Sequence, residues 1–530
     1  MQKQVFGHGF DLVEYLWAGP RIAPPPVLAM GLITGFAAVK FAAHLLTIAL
    51  TPYGFHRDEF LYLAMGQYLH FWNMFFPPAI AVLANTARYL FGDTLFGVRF
   101  FPALAGTAMV VLAGWLAREL GGNRTAQGLA MLSLLLSPLF LRSAALFQPV
   151  VFDQLWWTLG LFALAKIAQS SGRRWWILLG AAGGLGLLTK FSILFFGCGV
   201  LVGLALSGQR RVWGTRWPYV SVLITLAVGS PSIVGQIQLG FPVINHLHQL
   251  QIHQLDRLSF ADFLGGQILM LGPVVLLAGT GLVYLFRAEA ARSYRIIAWA
   301  CVIPFLLLLA LHGKPYYIGP IYPTLFAAGA VAFTRAPRPW DRVVCQVMAG
   351  LAIVFGILTL PFGLPVVPPV QMARYAAALG LNGAVTTNQG KILPLPQDYA
   401  DMLGWEDEVA AVARVYHALA PDKRVQAIIL AGNYGEAGAL DFLGRRFGLP
   451  RAVAREGGYW YFGPGDKPGK VAVGLGLSPE NLAPYYRSVK ILARFDNPWM
   501  VPEERDIPIV VAEEPYKSMQ ELWPQLGDPK

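Results

Sequence analysis

Apolar positions fall into two regimes along the chain. Between 27 and 362 they form runs about as long as the roughly 20 apolar residues a helix needs to cross a bilayer's hydrocarbon core, separated by short charged loops. These runs lie at 27–50, 98–117, 125–143, 153–170, 175–189, 191–207, 218–236, 264–286, 296–311, 318–334 and 343–362, and they predict about eleven spans. The two that flank Lys190 are short and nearly continuous. Beyond 371 the pattern is that of an ordinary soluble protein. Residues 425–431 read as a strand, Gly432-Asn433-Tyr434-Gly435 as a turn and 436–446 as a helix. A second strand at 470–475 precedes a helix at 479–488 and further strands at 489–495 and 507–512. The expected architecture is mostly α: a polytopic transmembrane helical bundle over 1–362, followed by a soluble α/β domain over 363–530.

Composition agrees, since 55% of residues are hydrophobic and 13% charged, about half the charged fraction of a soluble protein. The net charge of +11 would suit a nucleic-acid binder, but its placement has a simpler cause. Arg118 and Arg124, Arg173 and Arg174, Arg210, Arg211 and Arg216, Arg287, Arg292 and Arg295, and Arg335, Arg338 and Arg342 occupy one set of loops. The alternate loops carry isolated cations such as Arg57, Arg142, Lys190, Arg257 and Lys314. The positive-inside rule makes the first set cytoplasmic. It places the N-terminus in the cytoplasm and residues 363–530 in the periplasm or outside the cell, and no nucleic-acid partner is expected. Asp11 and Glu14 interrupt the first 26 residues, so they do not read as a signal peptide. Cys198, Cys301 and Cys345 lie in apolar runs, with neither a disulfide framework nor zinc spacing.

Candidate chemistry gathers in the cation-poor loops. The segment 53–62 contains His56, Arg57, Asp58, Glu59 and Tyr62. Partial burial of its adjacent carboxylates would raise at least one pKa, although two acids also suit the first turn of a solvated helix. Asp153 enters an apolar helix, where an ionisable group is a functional candidate by default, or else a complement to the helix dipole. Residues 312–323 bring Lys314, Tyr316 and Tyr317 between two spans, with a rigid interfacial turn as the plainer reading of the tyrosines. Lys190, at another span end, either serves the same site or snorkels to the interface. Acids that activate a hydroxyl or amine, beside cations that hold a phosphate, form a phospholipid-linked group-transfer site. The turn at 432–435 lacks the G-x-G-x-x-G spacing and is assigned no chemistry.

These motifs resemble the GT-C glycosyltransferases of the dolichyl-phosphate-mannose protein mannosyltransferase type, especially the bacterial aminoarabinose-transferase-like members. The likeness rests on Asp58-Glu59-x-x-Tyr62, Pro77-Pro78, Arg99-x-x-Pro102-Ala103-Leu104-x-Gly106, Asp153, the stretch 184–190, Lys314-Pro315-Tyr316-Tyr317 and Pro320-x-Tyr322-Pro323. It covers most of 50–335 and continues weakly through 433–439. The resemblance implies inverting transfer from a polyprenyl-phosphate sugar to a lipid, glycan or protein acceptor at the outer face of the inner membrane. Asp58 would be the general base, Glu59 would shape or share that role, and Asp153 would contact acceptor or sugar. Lys190, Lys314, Arg88 and Arg99 would meet the leaving phosphate, with Tyr316 and Tyr317 as donors and His56 and Tyr62 completing the motif.

No cofactor is firmly expected beyond the lipid-linked sugar; a divalent metal stays open without support, and no metal ligands are assigned. The loop 245–262, with His246, His248, His253 and Asp256, matches no family motif and has poor metal spacing on one helix. Two other classes remain open: a transporter or flippase of lipid-linked sugars, and a non-catalytic scaffold. A transporter should place ionisable groups near the bilayer midplane, where only Lys40 and His44 stand out. The sequence leaves the sugar, the acceptor and the oligomeric state open.

Overall fold

The computed structural model describes residues 26–169, 172–208, 210–335 and 339–526. Arg338 and the reading of the first 26 residues, apart from Pro26, lie outside them. Every apolar run has become helix, though not every helix is a full span. Seven helices are long and apolar enough to cross a bilayer: Met30–Leu50, Leu95–Glu119, Pro149–Gln169, Trp217–Gln238, Glu289–Ala310, Pro315–Thr334 and Arg342–Gly363. Two further segments reach that length only as bent pairs, Arg124–Leu136 with Pro138–Ala144 and Phe260–Leu271 with Val274–Arg287, broken by 63° and 109°. Pro138 and Pro273 sit at these breaks, where a ring with no N–H cannot continue the hydrogen-bond ladder. Hence seven to nine helices among the described residues meet the requirement, fewer than the expected eleven. The difference lies at Lys190: Arg173–Leu187 has 15 residues and Ile193–Leu206 has 14, each short of the roughly 20 that span the core.

The spans keep apolar side chains on their outside, as a lipid solvent requires. Leu223 and Ile357, for example, are 66% and 63% exposed. Lys40 and His44 instead face inward and are buried. Lys40 Nζ donates to Phe140 O at 2.9 Å, and His44 Nε2 lies 3.1 Å from Leu141 O. Those carbonyls belong to the short helix Pro138–Ala144, whose final turn would otherwise leave acceptors unpaired in an apolar interior.

The C-terminal region forms one five-stranded sheet: β1 (Ala427–Ala431), β2 (Ala452–Ala454), β3 (Val471–Leu475), β4 (Tyr486–Phe495) and β5 (Ile507–Pro515). The strand order is β2-β1-β3-β5-β4. β1 pairs parallel with β2 and β3, while β5 runs antiparallel to β3 and β4. The helix expected over 479–488 is only Pro479–Leu482, because strand β4 has begun by Tyr486.

The sheet domain docks on one end of the bundle through a shared apolar core. Phe60 packs against Trp405 at 5.8 Å and Phe55 against Phe442 at 5.0 Å between ring centroids. Contact is tight enough to demand glycine: a Cβ on Gly438 would lie 2.6 Å from Phe60 Cβ. Segment 397–402 adds backbone pairing, with Gly54 N donating to Met402 O at 3.1 Å and Arg57 N to Asp401 O at 3.0 Å.

Candidate active site

Helix Arg57–Gln67 starts the site because of how it is capped. His56 is extended at the N-cap, and its Nδ1 accepts from Asp58 N at 3.1 Å. Glu59 reaches back to His56 N, with Oε2 accepting at 2.8 Å. This reciprocal cap satisfies two of the donors that a helix N-terminus leaves free. It also fixes the two acidic neighbours in opposite directions.

Glu59 points inward and is fully buried. Oε1 accepts from Arg99 Nε and Phe147 N, each at 2.9 Å. Oε2 accepts from Arg99 Nη2 at 2.9 Å as well as from His56 N. Burial pushes this carboxyl up, but the Arg99 charge and the four donors outweigh it and hold Glu59 below the usual carboxylate range. The expectation that burial would raise an acid of this pair therefore fails for Glu59. A carboxylate with both oxygens doubly used cannot share a base's work; Glu59 shapes the loop. Arg99, expected at the phosphate, gives its Nε and Nη2 to Glu59 and Gly54 O. Arg88 pairs with Asp93 at 2.6 Å.

Asp58 faces the other way and is half-buried. Tyr434 Oη donates to its Oδ1 at 2.9 Å, and Gln148 Nε2 donates to its Oδ2 at 3.0 Å. Tyr434 is held by Arg57, whose guanidinium carbon stands 4.6 Å from the ring centroid. Tyr62, one turn along the helix, lies within electrostatic reach of Asp58, Tyr434 and Tyr317.

The lysines gather nearby. Lys190, in the break between the two short helices, stands 4.2 Å over the Tyr317 ring and 5.7 Å from that of Tyr316. Those two rings meet edge to face at 4.8 Å. Lys314 lies within electrostatic reach of both Asp58 and Lys190; burial is the main cause that lowers its ammonium to about 8, the Lys190 charge adding and Asp58 opposing. Asp153 is buried, with Oδ1 accepting from Trp157 Nε1 at 3.0 Å and Oδ2 from Ser192 Oγ at 2.8 Å. Its charge acts on Lys190. His246 joins the same neighbourhood, where burial first, and then Lys314 and Lys190, lower its imidazole.

A second acidic group lies beside the cap. His56 Nε2 is 3.7 Å from Asp398 and 3.9 Å from Asp401, and Arg142 Nε donates to Asp398 at 2.8 Å. Histidine and two carboxylates could suit a metal by type, but the cap argues against it. A backbone N–H can only donate, so Nδ1 carries the lone pair and neutral His56 carries its proton on Nε2. That proton, and no ligand lone pair, faces the carboxylates. In 245–262, His253 Nε2 lies 3.1 Å from Gln249 Oε1 and the His246 ring meets Phe76; these histidines form no cluster among the described residues.

Sequence reasoning thus collected Asp58, Lys190, Lys314, Tyr62, Tyr316 and Tyr317 at one end of the bundle. It passed over Gln148, and Tyr434 was set in a turn judged to be without chemistry. Tyr434 is 376 positions from Asp58, and no local pattern connects them.

A family model, dolichyl-phosphate-mannose-protein mannosyltransferase, matches residues 76–234. An undecaprenyl phosphate-alpha-4-amino-4-deoxy-L-arabinose arabinosyl transferase of Edwardsiella ictaluri is 28% identical over 291 residues, covering 50% of this chain and 51% of that protein. One of the same description from Yersinia enterocolitica is 25% identical over 301 residues, covering 52% of each. The matched segment therefore spans about half the length of these curated relatives. Among solved structures, ArnT from Cupriavidus metallidurans bound to undecaprenyl phosphate aligns with a TM-score of 0.59 at 18% identity, over 91% of this chain and 98% of that one. The oligosaccharyltransferase AglB from Archaeoglobus fulgidus aligns with a TM-score of 0.51 at 12% identity, over 78% of this chain and 63% of that one.

Proposed function

We propose that this chain, a GT-C-fold membrane protein of the aminoarabinose-transferase-like kind, transfers a sugar from a polyprenyl-phosphate donor to a lipid, glycan or protein acceptor. The observation that carries this reading is that Lys314 lies within electrostatic reach of both Asp58 and a second lysine, Lys190. Two cations kept close and partly buried repel one another, and an anion between them relieves that cost. A phosphate is such an anion.

In this reading the acceptor oxygen or nitrogen attacks the anomeric carbon from the face opposite the phosphate, so configuration inverts. The new bond forms as the sugar's bond to the phosphate oxygen breaks, and the acceptor's proton passes to Asp58. Tyr434 and Gln148 orient that carboxylate, leaving its remaining lone pairs for the acceptor. Lys190 and Lys314 meet the charge that grows on the departing phosphate, where fixed charges contribute most. Asp153, held by Trp157 and Ser192, acts on Lys190 through its charge. The family names support a lipid-phosphate donor, because the similar curated proteins are described by one and ArnT was solved with undecaprenyl phosphate bound.

The charge distribution of the loops supports placing this end of the bundle outside the cytoplasm, with 363–530 covering the site. Asp58→Asn keeps shape and removes the base. It should lower transfer by about 100- to 10,000-fold while the purified protein remains folded. Normal turnover in that variant would sink the assignment.

A further inference from the structure

Away from the lysines, three buried carboxylates converge where the sheet domain meets the first loop. Glu408 comes from the first turn of helix Trp405–His417, Glu436 from the first turn of Tyr434–Leu443, and Glu504 from the turn Pro502–Glu504. Their exposures are 0%, 2% and 0%, and one oxygen from each lies within 4.8 Å of the others.

Their known partners are too few. Gly432 N donates to Glu436 Oε2 at 2.7 Å, and Asn433 Nδ2 donates to Glu504 Oε1 at 3.0 Å. Arg57 Nη2 stands 3.8 Å from Glu504 Oε1 and also acts on Glu456 and Asp401. Among the described residues, both oxygens of Glu408 and Oε2 of Glu504 have no hydrogen-bond partner. The backbone closes tightly around the group: Gly476 has φ +66°, and a Cβ there would lie 2.1 Å from Glu436 Oε1.

We infer that Glu408, Glu436 and Glu504 form a binding site for one divalent cation of the Ca2+ class. Three carboxylates facing one guanidinium leave a local charge that a divalent ion cancels. All-oxygen donors select a hard cation over zinc, which favours nitrogen and sulfur. Oxygens within 4.8 Å of one another can all reach one Ca2+ ion at about 2.3–2.6 Å, and Ca2+ accepts irregular geometry, whereas Mg2+ demands a near-ideal octahedron at about 2.0–2.1 Å and keeps several waters. A competing arrangement has Glu436 and Glu504 share a proton, since they are within side-chain hydrogen-bond reach of each other. It would leave Glu408, buried and unpartnered, still unmatched; a cation at the centre serves all three.

The ion would join three separate segments of the sheet domain. Through Arg57 and Tyr434 it would also fix the wall against which Asp58 rests. The site does not depend on the transferase reading, because it is built from different residues.

The test uses the full chain purified in detergent, treated with EGTA and desalted. Adding CaCl2 should restore one bound calcium per chain and raise the unfolding midpoint by several degrees, while equimolar MgCl2 should raise it less. Glu408→Gln should abolish both the bound calcium and the shift. If that variant does not fold, the wild-type comparison in EGTA and in CaCl2 decides alone. No retained calcium, with equal midpoints in EGTA and millimolar CaCl2, overturns the proposal. So does a midpoint that falls as pH rises irrespective of calcium, which is the mark of a shared proton lost through a raised carboxyl pKa.

Discussion

Asp58 and Glu59 are sequence neighbours of the same chemistry, and conservative amide substitutions should make them fail in opposite ways. In Glu59→Gln the carboxylate becomes a carboxamide with one acceptor and one NH2. Each Glu59 oxygen accepts one guanidinium N–H and one backbone N–H. Whichever way the amide turns, its NH2 therefore faces one of each, two hydrogen bonds are lost, and donors oppose donors. Arg99, 1% exposed, also loses its counter-charge. Removing one partner of a buried ion pair costs about 3–5 kcal/mol, so the loss should approach that of Glu59→Ala. Asp58→Asn keeps an acceptor for Gln148 Nε2 and offers Tyr434 Oη a donor, so it should cost far less stability than Glu59→Gln yet lose transfer. The assay is thermal or denaturant unfolding of the purified proteins, with donor-dependent transfer measured on the folded fraction. A Glu59→Gln protein as stable as Asp58→Asn would falsify the structural assignment of Glu59. If it also lost turnover, Glu59 would return as a catalytic candidate.

Tyr434→Phe keeps the ring under Arg57 and removes the hydroxyl donor to Asp58. A hydrogen bond to a charged group contributes about 1.5–3 kcal/mol to stability, so the unfolding midpoint should fall, and because the same bond orients Asp58, kcat of the folded protein should fall as well; a wild-type kcat would remove Tyr434 from the site. Lys314 carries its proton below about 8 and loses it above, so kcat/KM for the lipid-linked donor should decline as pH rises through that value. Lys314→Arg, charged throughout, should move the decline to higher pH, and an identical profile in both proteins would separate Lys314 from donor capture. Gly438→Ala sets a methyl 2.6 Å from Phe60 Cβ. Such overpacking costs about 1–3 kcal/mol, and it should open the sheet domain to limited proteolysis without disturbing the spans; unchanged protection would show that this contact yields.

The sequence determined what the solvent imposes. Runs of apolar residues meet a lipid core only as helices, because no water is present there to satisfy a free backbone, and so all eleven runs became helical. Alternating apolar stretches beyond 371 likewise announced strands β1, β3, β4 and β5. What the runs did not encode was their geometry. Pro138 and Pro273 bend two of them, and the break at Lys190 divides another stretch into helices too short to span. Candidate acids and lysines were also legible, since charge beside apolar helices needs a reason.

Their division of labour was not. Asp58 and Glu59 carry the same group one residue apart. Only the cap at His56, with Arg99 arriving from another helix, turns one inward as an anchor and leaves the other facing Lys314. Tyr434 gained its meaning in the same way, brought within hydrogen-bond distance of Asp58 from 376 positions away, and the three carboxylates of the sheet domain gained theirs from separate segments that converge to within 4.8 Å. Local pattern reports how each segment meets its solvent, whereas a site depends on which segments meet each other, and here that was settled by the docking of the sheet domain on the bundle.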